Sequence, residues 1–233
     1  MKKIVLNIIY LIFTANLFAQ LDSVEYKTPD YAGIKKIVSE PGFEFYYPTL
    51  MERMKQFDAT LTIEEYRFLY YGFIFQPEFP KSPWASRFQE QERELTKYYQ
   101  RRSIPRRNYD TVIELINQIL DINPFYIRGI NFLSYILHLK GEEEEAAKRS
   151  MQLWNIVHAI LSSGDGQNPE TGFHVIDIGH EYVVMNLLQI PIGNRATTRL
   201  INRNACDCFI INQNRSNQIC FIVPYEIINT VRE

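Results

Sequence analysis

A segment of this chain repeats after 34 residues, and this period restricts the fold more than any other feature. At this spacing Asn108–Pro124 aligns with the second half of Phe125–Trp154, so that Tyr109 falls on Glu143. Apolar residues recur at helical spacing in both copies. A repeat of this length is one helix–turn–helix unit that buries its apolar face against a neighbouring unit. The segment therefore predicts packed helices and no catalytic chemistry.

The second copy resembles a tetratricopeptide unit. The apolar, small-contact, turn and helix-crossing positions of that pattern are held by Leu133, Ser134, Leu137, Gly141 and Ala146. The match covers about one and a half units. The resemblance implies a helical hairpin in which Ser134 and Ala146 face each other where two helices cross closely. It also implies a module that binds a protein or peptide partner on a helical surface.

The segments before the repeat also carry helix signals. Thr28 is predicted to cap a first helix, and Pro48 to open a second one. Thr62 and Glu65 have the spacing of a capping box, which predicts a third helix from about Ile63 to Phe75. A polar helix is expected to follow from about residue 84 to residue 101. The region before the repeat is therefore predicted to be helical.

The pattern changes after the breaker cluster Ser162–Gly166. We predict a strand at Phe173–Ile178, a short helix at His180–Leu188, and a hairpin with strands Cys208–Ile211 and Ile219–Val223. The expected fold class is α+β, mainly α, with tetratricopeptide-like helical hairpins followed by a small antiparallel β-sheet. The expected domains are a signal peptide at 1–20, a helical, tetratricopeptide-like region at 21–161 and a small α+β region at 162–233.

The N-terminus has the pattern of a secretory signal peptide. Lys2 and Lys3 precede an apolar run from Ile4 to Phe18, and Ala19 offers a small residue for cleavage. The run is shorter than the roughly 20 residues that span a bilayer. We therefore expect a periplasmic or secreted protein with no membrane span after signal cleavage.

The segment Phe45–Phe79, which reads FYYPTLMERMKQFDATLTIEEYRFLYYGFIFQPEF, resembles the bacterial family domain of unknown function 4919. The resemblance extends through the repeat and through Ser162–Tyr182, which contains the strings SSGDG and FHVIDIGHEY. It implies an exported protein of Bacteroides-type bacteria. It implies no catalytic residue, because no activity is established for the family.

The charge of the chain argues against polyanionic partners. Lys and Arg number 25 against 27 Asp and Glu, which gives a formal net charge of −2. A nucleic-acid partner would require a basic surface that neutralises phosphates, so none is expected. A local exception is the link Arg101–Arg107, whose four arginines either bind an anionic ligand or solvate the connection between two helices. The oligomeric state is not indicated by the sequence.

The segment from Ser162 to Glu181 holds the candidate catalytic and metal-binding residues. His174 and His180 could meet on one metal across a strand-to-helix bend, with a cysteine of the hairpin completing the site. The candidate catalytic residues are His180, Glu181 and Asp165. A hydrolytic triad could instead combine Ser162 or Ser163 with His180 and Asp177. No recognised zinc spacing and no Gly-x-Ser-x-Gly elbow is present. The structural interpretation is therefore favoured, and no metal or other cofactor is predicted.

The three cysteines, Cys206, Cys208 and Cys220, all lie near the C-terminus. Cys206 and Cys208 are two residues apart and so share one face of a strand. A three-residue hairpin loop would place Cys208 opposite Cys220, whereas a four-residue loop would shift the register. Because the turn sequence does not decide between these loops, we expect reduced thiols. If a disulfide forms, it should join Cys208 to Cys220 and leave Cys206 free.

The segment 43–84 is rich in aromatic residues. In an exported protein such a segment could stack against sugars. Tyr66, Leu69, Tyr70 and Phe73 recur at helical spacing, however, which predicts a buried core stripe instead.

These observations favour a protein or peptide interaction module built on tetratricopeptide-like helices. The alternative is a hydrolase or metal-binding enzyme that uses the segment from Ser162 to Glu181. The chain is thus expected to act by binding, with a partner that the sequence does not name.

Overall fold

The structure is a computed structural model that describes residues 26–80, 88–191, 196–201, 204–211 and 218–232. The expected signal peptide lies outside the described residues. The same holds for the start of the helix predicted from residue 84 and for the hairpin turn at 212–217.

Helices follow one another from Tyr31 to Leu161. Their bounds are α1 Tyr31–Ser39, α2 Tyr47–Lys55, α3 Ile63–Gly72, α4 Gln89–Tyr99, α5 Tyr109–Ile122, α6 Ile127–Lys140 and α7 Glu143–Leu161. A 3₁₀ turn at Phe73–Phe75 extends α3, and another at Arg106–Asn108 precedes α5.

Local hydrogen bonds explain where several helices begin. The Thr62 hydroxyl accepts the Glu65 amide while the Glu65 carboxylate accepts the Thr62 amide, so the predicted capping box is confirmed. Pro48 lies in the first turn of α2, as predicted. The prediction for α1 was wrong: Asp30, not Thr28, caps this helix by accepting the Gly33 amide at 3.1 Å. A carboxylate next to the first turn satisfies a free amide and favours the positive end of the helix dipole.

The helices α6 and α7 form a hairpin across Gly141, whose φ of 91° is the left-handed conformation that glycine adopts without strain. The Ser134 hydroxyl donates to the Ala146 carbonyl at 2.9 Å, so the two small residues meet where the helices cross, as expected. Helix α5 packs on α6, and α4 packs on α5. The tetratricopeptide identity of this array stays a prediction.

The chain after α7 adds a sheet and two helices. The bounds are β1 Phe173–His174, α8 Ile178–Leu187, β2 Ala196–Ile201, β3 Asn204–Ile210, β4 Gln218–Val223 and α9 Tyr225–Arg232. The strand order among the described residues is β1-β4-β3-β2, with β3 antiparallel to both β2 and β4 and with β1 parallel to β4. The predicted class, α+β and mainly α, is confirmed, whereas the expectation of an entirely antiparallel sheet is wrong.

The parallel pair has a topological cause. A parallel neighbour requires a crossover connection, and here the chain leaves the sheet through α8 before β2, β3 and β4 form. Alternation of apolar residues predicts a strand, but it does not predict which strand pairs with it or in which direction. Of the predicted strand Phe173–Ile178, only the first two residues are strand, because Asp177 accepts the Gly179 amide at 2.6 Å and begins α8.

The main hydrophobic core runs through both the helical region and the sheet. Tyr70 of α3, Ile156 of α7 and Phe221 of β4 belong to one buried cluster. A second cluster, with Leu95 and Ile116, lies among α4, α5 and α6. The aromatic stripe of α3 is therefore core, as predicted, and the core is continuous across residue 162. None of the helices in the described ranges combines the length and apolarity needed to cross a bilayer.

Candidate functional site

Two histidines of the candidate segment bond to tyrosines from distant helices. Tyr31 of α1 and the His174 Nδ1 are 3.1 Å apart, and Tyr70 of α3 and the His180 Nδ1 are 2.7 Å apart. All four residues lie in or beside the main core, and both histidines are buried. Each pair ties a helix of the first half of the chain to the segment around β1 and α8.

Both ring nitrogens of His180 have partners. Its second nitrogen bonds to the Phe125 carbonyl, so Nδ1 must accept the proton of the Tyr70 hydroxyl. The same hydroxyl accepts the Ile176 amide at 3.2 Å. Burial lowers the pKa of His180, which keeps the ring neutral near pH 7. The ring therefore has no nitrogen left for a metal or for a substrate proton.

His174 is likewise held as a neutral ring. Burial, assisted by the nearby positive charge of Arg67, lowers the pKa of His174 to about 4. In the part of the chain that the structure describes, His174 and His180 do not form a group with a third ligand-type side chain. Among the described residues, the group of three or more close ligand atoms consists of Cys206, Cys208 and Cys220.

The candidate serines are used for structural hydrogen bonds. Ser162 donates to the Ala159 carbonyl at 2.9 Å and accepts from Arg67 at 2.7 Å. Ser163 donates to the Ile160 carbonyl and accepts the His174 amide at 2.8 Å. Within the described contacts, neither hydroxyl reaches a histidine ring. A nucleophilic serine needs such a base within hydrogen-bond distance, so no triad is assembled here.

Asp165 stabilises a turn. Its carboxylate accepts the Gln167 amide at 2.8 Å and the hydroxyl of Thr171. The Asp165 and Gly166 amides both donate to the Thr171 carbonyl. These bonds close the loop that leads from α7 to β1, in agreement with the breaker cluster Ser162–Gly166 in the sequence.

Glu181 has the most unusual environment of the candidate residues. Its side chain is fully buried on α8, and neither carboxyl oxygen has a hydrogen-bond partner among the described residues. Burial, with the negative charges of Asp207 and Asp177, raises the pKa of Glu181 to about 9. The carboxyl is therefore protonated at neutral pH.

Asp207 of β3 is a second buried carboxyl, and its negative charge contributes to the raised pKa of Glu181. It is 4 % exposed and accepts a hydrogen bond from the Thr198 hydroxyl of β2. A protonated acid near a second carboxyl is the pattern of acid–base pairs in enzymes. The Glu181 oxygens have no exposure to solvent, however, so this pair offers no surface to a substrate.

The cysteines occupy the outer face of the sheet, which is the face turned away from the main core. Cys208 pairs directly with Cys220 in the β3–β4 register, and a disulfide joins them. The expectation of reduced thiols was therefore wrong, while the conditional pairing and the free Cys206 are confirmed. The register is that of the three-residue loop, although the turn itself lies outside the described residues. Burial, with the negative charges of Asp207 and Glu170, raises the pKa of the Cys206 thiol to about 11.

A surface that the sequence interpretation missed lies on α6. We define the α6 face as Tyr99, Arg128, Phe132, Tyr135 and Leu139. The ring centroids of Tyr99 and Phe132 are 4.8 Å apart, and the Arg128 guanidinium lies 4.0 Å from the Tyr99 centroid. Phe132 and Tyr135 stack at 6.4 Å. The four α6 residues follow helical spacing, which is the signal that could have revealed the stripe.

Four exposed arginines lie in the link that follows α4. Arg101, Arg102, Arg106 and Arg107 all lie on the surface, in the link between α4 and α5. Arg101 stacks over Tyr98 at 5.4 Å, and none of the four makes an ion pair within the described part of the chain. Arg101 is thus an exposed positive charge two residues from Tyr99, whereas Arg128 has the carboxyl of Glu92 nearby.

A protein-family model described as a domain of unknown function, DUF4919, matches residues 32–222. No curated protein and no solved structure matches the chain.

Proposed function

Since the chain belongs to the DUF4919 family, whose description assigns no activity, we propose a function from its own surface: a protein-binding module that holds a partner peptide on the α6 face. The observation that carries the proposal is the exposed row of large apolar side chains on α6. Tyr135 is 48 % exposed and Leu139 is 38 % exposed.

The composition of the α6 face is that of a binding hot spot. Aromatic residues and arginine are enriched in the cores of protein interfaces, where large rigid side chains bury much area at a low entropic cost. Tyr99, Arg128 and Phe132 already pack together, so a partner would meet a preformed surface. Pre-organisation of this kind reduces the entropy lost on binding.

The charge beside the face indicates the chemistry of the partner. Arg128 belongs to the α6 face, and the exposed arginines of the 101–107 link follow α4, the helix that carries Tyr99. A peptide that carries acidic residues next to apolar ones complements both parts of this surface. The proposed partner is therefore an acidic peptide segment with aromatic or aliphatic anchors.

The helical array supports the same location. If α4–α5 and α6–α7 are successive tetratricopeptide-like units, α4 and α6 are the first helices of the two units. Tyr99 of α4 and Phe132 of α6 then lie on the side that such arrays use for peptides.

Selection of random peptides on the full chain without its expected signal peptide tests this proposal. We expect enriched peptides to combine acidic and apolar residues and to bind more weakly as salt is raised. Phe132→Ala and Tyr135→Ala should each weaken binding by at least about fivefold, since truncation of an interface hot spot costs more than about 1 kcal/mol.

Leu200→Ser is the matched control, because Leu200 is 78 % exposed on β2 and belongs to no part of the α6 face. This change would reduce non-specific hydrophobic adsorption of peptides. It would not affect peptides that bind specifically to the α6 face. Peptides whose affinity falls with Leu200→Ser but is unaffected by Tyr135→Ala would contradict the proposal.

We also propose that the protein acts after export. The support is the signal-peptide pattern of residues 1–20, with its lysine pair, short apolar run and Ala19. Mass spectrometry of protein recovered from the envelope or medium of the native host should show a chain shortened by about 20 residues. Recovery of a chain that still begins at Met1 would contradict export with cleavage.

The enzyme alternative has one observation in its favour, the protonated Glu181 beside Asp207. Catalysis at this pair would require the surrounding segments to open, because both Glu181 oxygens are inaccessible. The α6 face needs no such rearrangement, which makes binding the better-supported function.

A further inference from the structure

The three cysteines place three sulfur atoms close together on the outer face of the sheet. Cys206 and Cys208 share one face of β3, and Cys220 lies opposite Cys208 on β4. All three Sγ atoms lie within 4.8 Å of one another, and those of Cys206 and Cys208 are 3.8 Å apart. The disulfide between Cys208 and Cys220 uses only two of the three sulfurs.

The 3.8 Å between the sulfur atoms of Cys206 and Cys208 suits two thiolates on one metal ion, and reduction of the disulfide would free the Cys220 sulfur to move to a similar distance. Zinc–sulfur bonds of about 2.3 Å put two ligand sulfurs roughly 3.8 to 4.0 Å apart in tetrahedral or trigonal geometry. We propose that reduction of the Cys208–Cys220 disulfide converts this group into a three-thiolate site for a soft divalent cation such as Zn²⁺. The disulfide then acts as the closed form of the site, because oxidation removes two of its three ligands.

The chemistry balances in two steps. A dithiol reductant supplies two electrons and two protons to the disulfide, which becomes two thiols while the reductant becomes a disulfide. One divalent ion then displaces the three thiol protons and binds three thiolates, which gives a complex with one negative charge.

The sheet can keep the ligands in place without the disulfide. Backbone pairs on either side of Cys208 and Cys220, such as Phe209 with Ile219 and Ala205 with Val223, hold the same register. The side chains of Phe209, Ile219 and Val223 are anchored in the main core on the other face. Reduction therefore removes a covalent link from a ladder that has other supports.

The surroundings leave a route for the ion. The Cys206 thiol donates a hydrogen bond to the Pro169 carbonyl at 3.6 Å, and a water can occupy the fourth position, as it does in zinc sites with three protein ligands. Pro169 belongs to the segment that covers the cysteines, and its neighbours Asn168 and Glu170 are exposed. A single layer of chain therefore separates the sulfur atoms from solvent.

Titration of the full chain with Cd²⁺ as the probe tests the site. A phosphine reductant opens the disulfide without competing for the metal as thiols do, and is removed before titration. We expect the reduced protein to bind one Cd²⁺ per chain with an ultraviolet thiolate-to-cadmium charge-transfer band, and the oxidised protein to lack this band. Cd²⁺ added to the reduced protein loaded with Zn²⁺ should displace the zinc and produce the same band, because cadmium is the softer ion.

Two variants identify the ligands. Cys206→Ser retains the disulfide, so its oxidised fold can be checked first by circular dichroism. After reduction it should bind Cd²⁺ more than about tenfold more weakly, because loss of an outer-shell partner alone costs about 10- to 100-fold. His138→Ala is the matched control, since His138 and Glu143 form an exposed pair that could bind metal adventitiously. It should leave the charge-transfer band unchanged.

Three results would overturn the proposal. One is the absence of a thiolate-to-cadmium band in the reduced wild-type protein. Another is equal cadmium affinity of the reduced wild type and reduced Cys206→Ser. The third is loss of the folded circular-dichroism spectrum on reduction, because the site requires the β3–β4 ladder to persist.

Discussion

The Tyr70 hydroxyl connects two buried polar groups, because it donates to His180 Nδ1 and accepts the Ile176 amide. Tyr70→Phe keeps the ring and leaves both groups without a partner. We expect the free energy of unfolding, measured with urea, to fall by about 1–3 kcal/mol. The same change at the half-exposed Tyr135 should alter stability by less than about 0.5 kcal/mol. Equal stability of the two variants would show that the buried hydroxyl is not used as the structure indicates.

The buried carboxyl of Glu181 predicts how the free energy of unfolding depends on pH. Its pKa is about 9 in the folded protein against 4.5 for the ordinary side chain, so the unfolded chain loses this proton first as pH rises. Between these values the folded state binds more protons, and stability must fall with rising pH by up to about 1.4 kcal/mol per pH unit. Glu181→Gln removes the titration. Its stability relative to wild type should therefore increase steadily from pH 5 to pH 8.

Urea unfolding at several pH values measures this difference, and the same substitution at exposed Glu44 is the control. Glu44→Gln should follow the wild-type pH profile closely. If the Glu181→Gln and wild-type profiles run parallel, the carboxyl is not held protonated by its surroundings.

At the scale of the helix, the contact between Ser134 and Ala146 sets how closely α6 and α7 approach. The Ser134 hydroxyl bonds to the Ala146 carbonyl, and Ala146 is buried. Ala146→Leu should overpack this crossing and cost roughly 1–3 kcal/mol of stability. Thermal unfolding measures the loss, with the exposed Leu139→Ala change on the same hairpin as a comparison. An unchanged melting temperature for Ala146→Leu would mean that the helices are not in close contact there.

The elements that could be predicted from sequence are those fixed by local hydrogen bonds and short-range packing. The capping box of Thr62 and Glu65 and the turn at Gly141 depend on residues a few positions apart, and both are confirmed. The parallel β1–β4 pair joins Phe173 to Phe221, and no short pattern names such a partner. Sequence patterns therefore predict where helices and strands lie better than they predict which distant elements pack or pair together.

The candidate site shows the same limit at the level of side chains. The candidate residues between Ser162 and Glu181 are close in sequence, yet their partners come from far away. His174 bonds to Tyr31, which lies 143 positions earlier in the chain. The correct disulfide partners followed from strand register, but the oxidation state did not, because it depends on how closely the two strands bring the sulfur atoms.

At the scale of the whole molecule, β4 lies inside the sheet, between β1 and β3. It also carries Phe221 and Val223 into the main core. Deleting residues 218–233 should therefore abolish cooperative thermal unfolding and give aggregated protein in size-exclusion chromatography. Deleting only residues 225–233 removes α9 but leaves all four strands, so its effect should be smaller. A chain without residues 218–233 that melts like the wild type would contradict this role of β4.

The position of β4 also has a consequence for biosynthesis. Among the described strands, β4 is the last to leave the ribosome, although it lies inside the sheet. A chain that is cut or stalled before Gln218 can still form helices, but the apolar face of its sheet stays open. Chaperones and proteases act on such surfaces. Chaperones and proteases would thus recognise a shortened chain by its exposed core and remove it without a specific degradation signal.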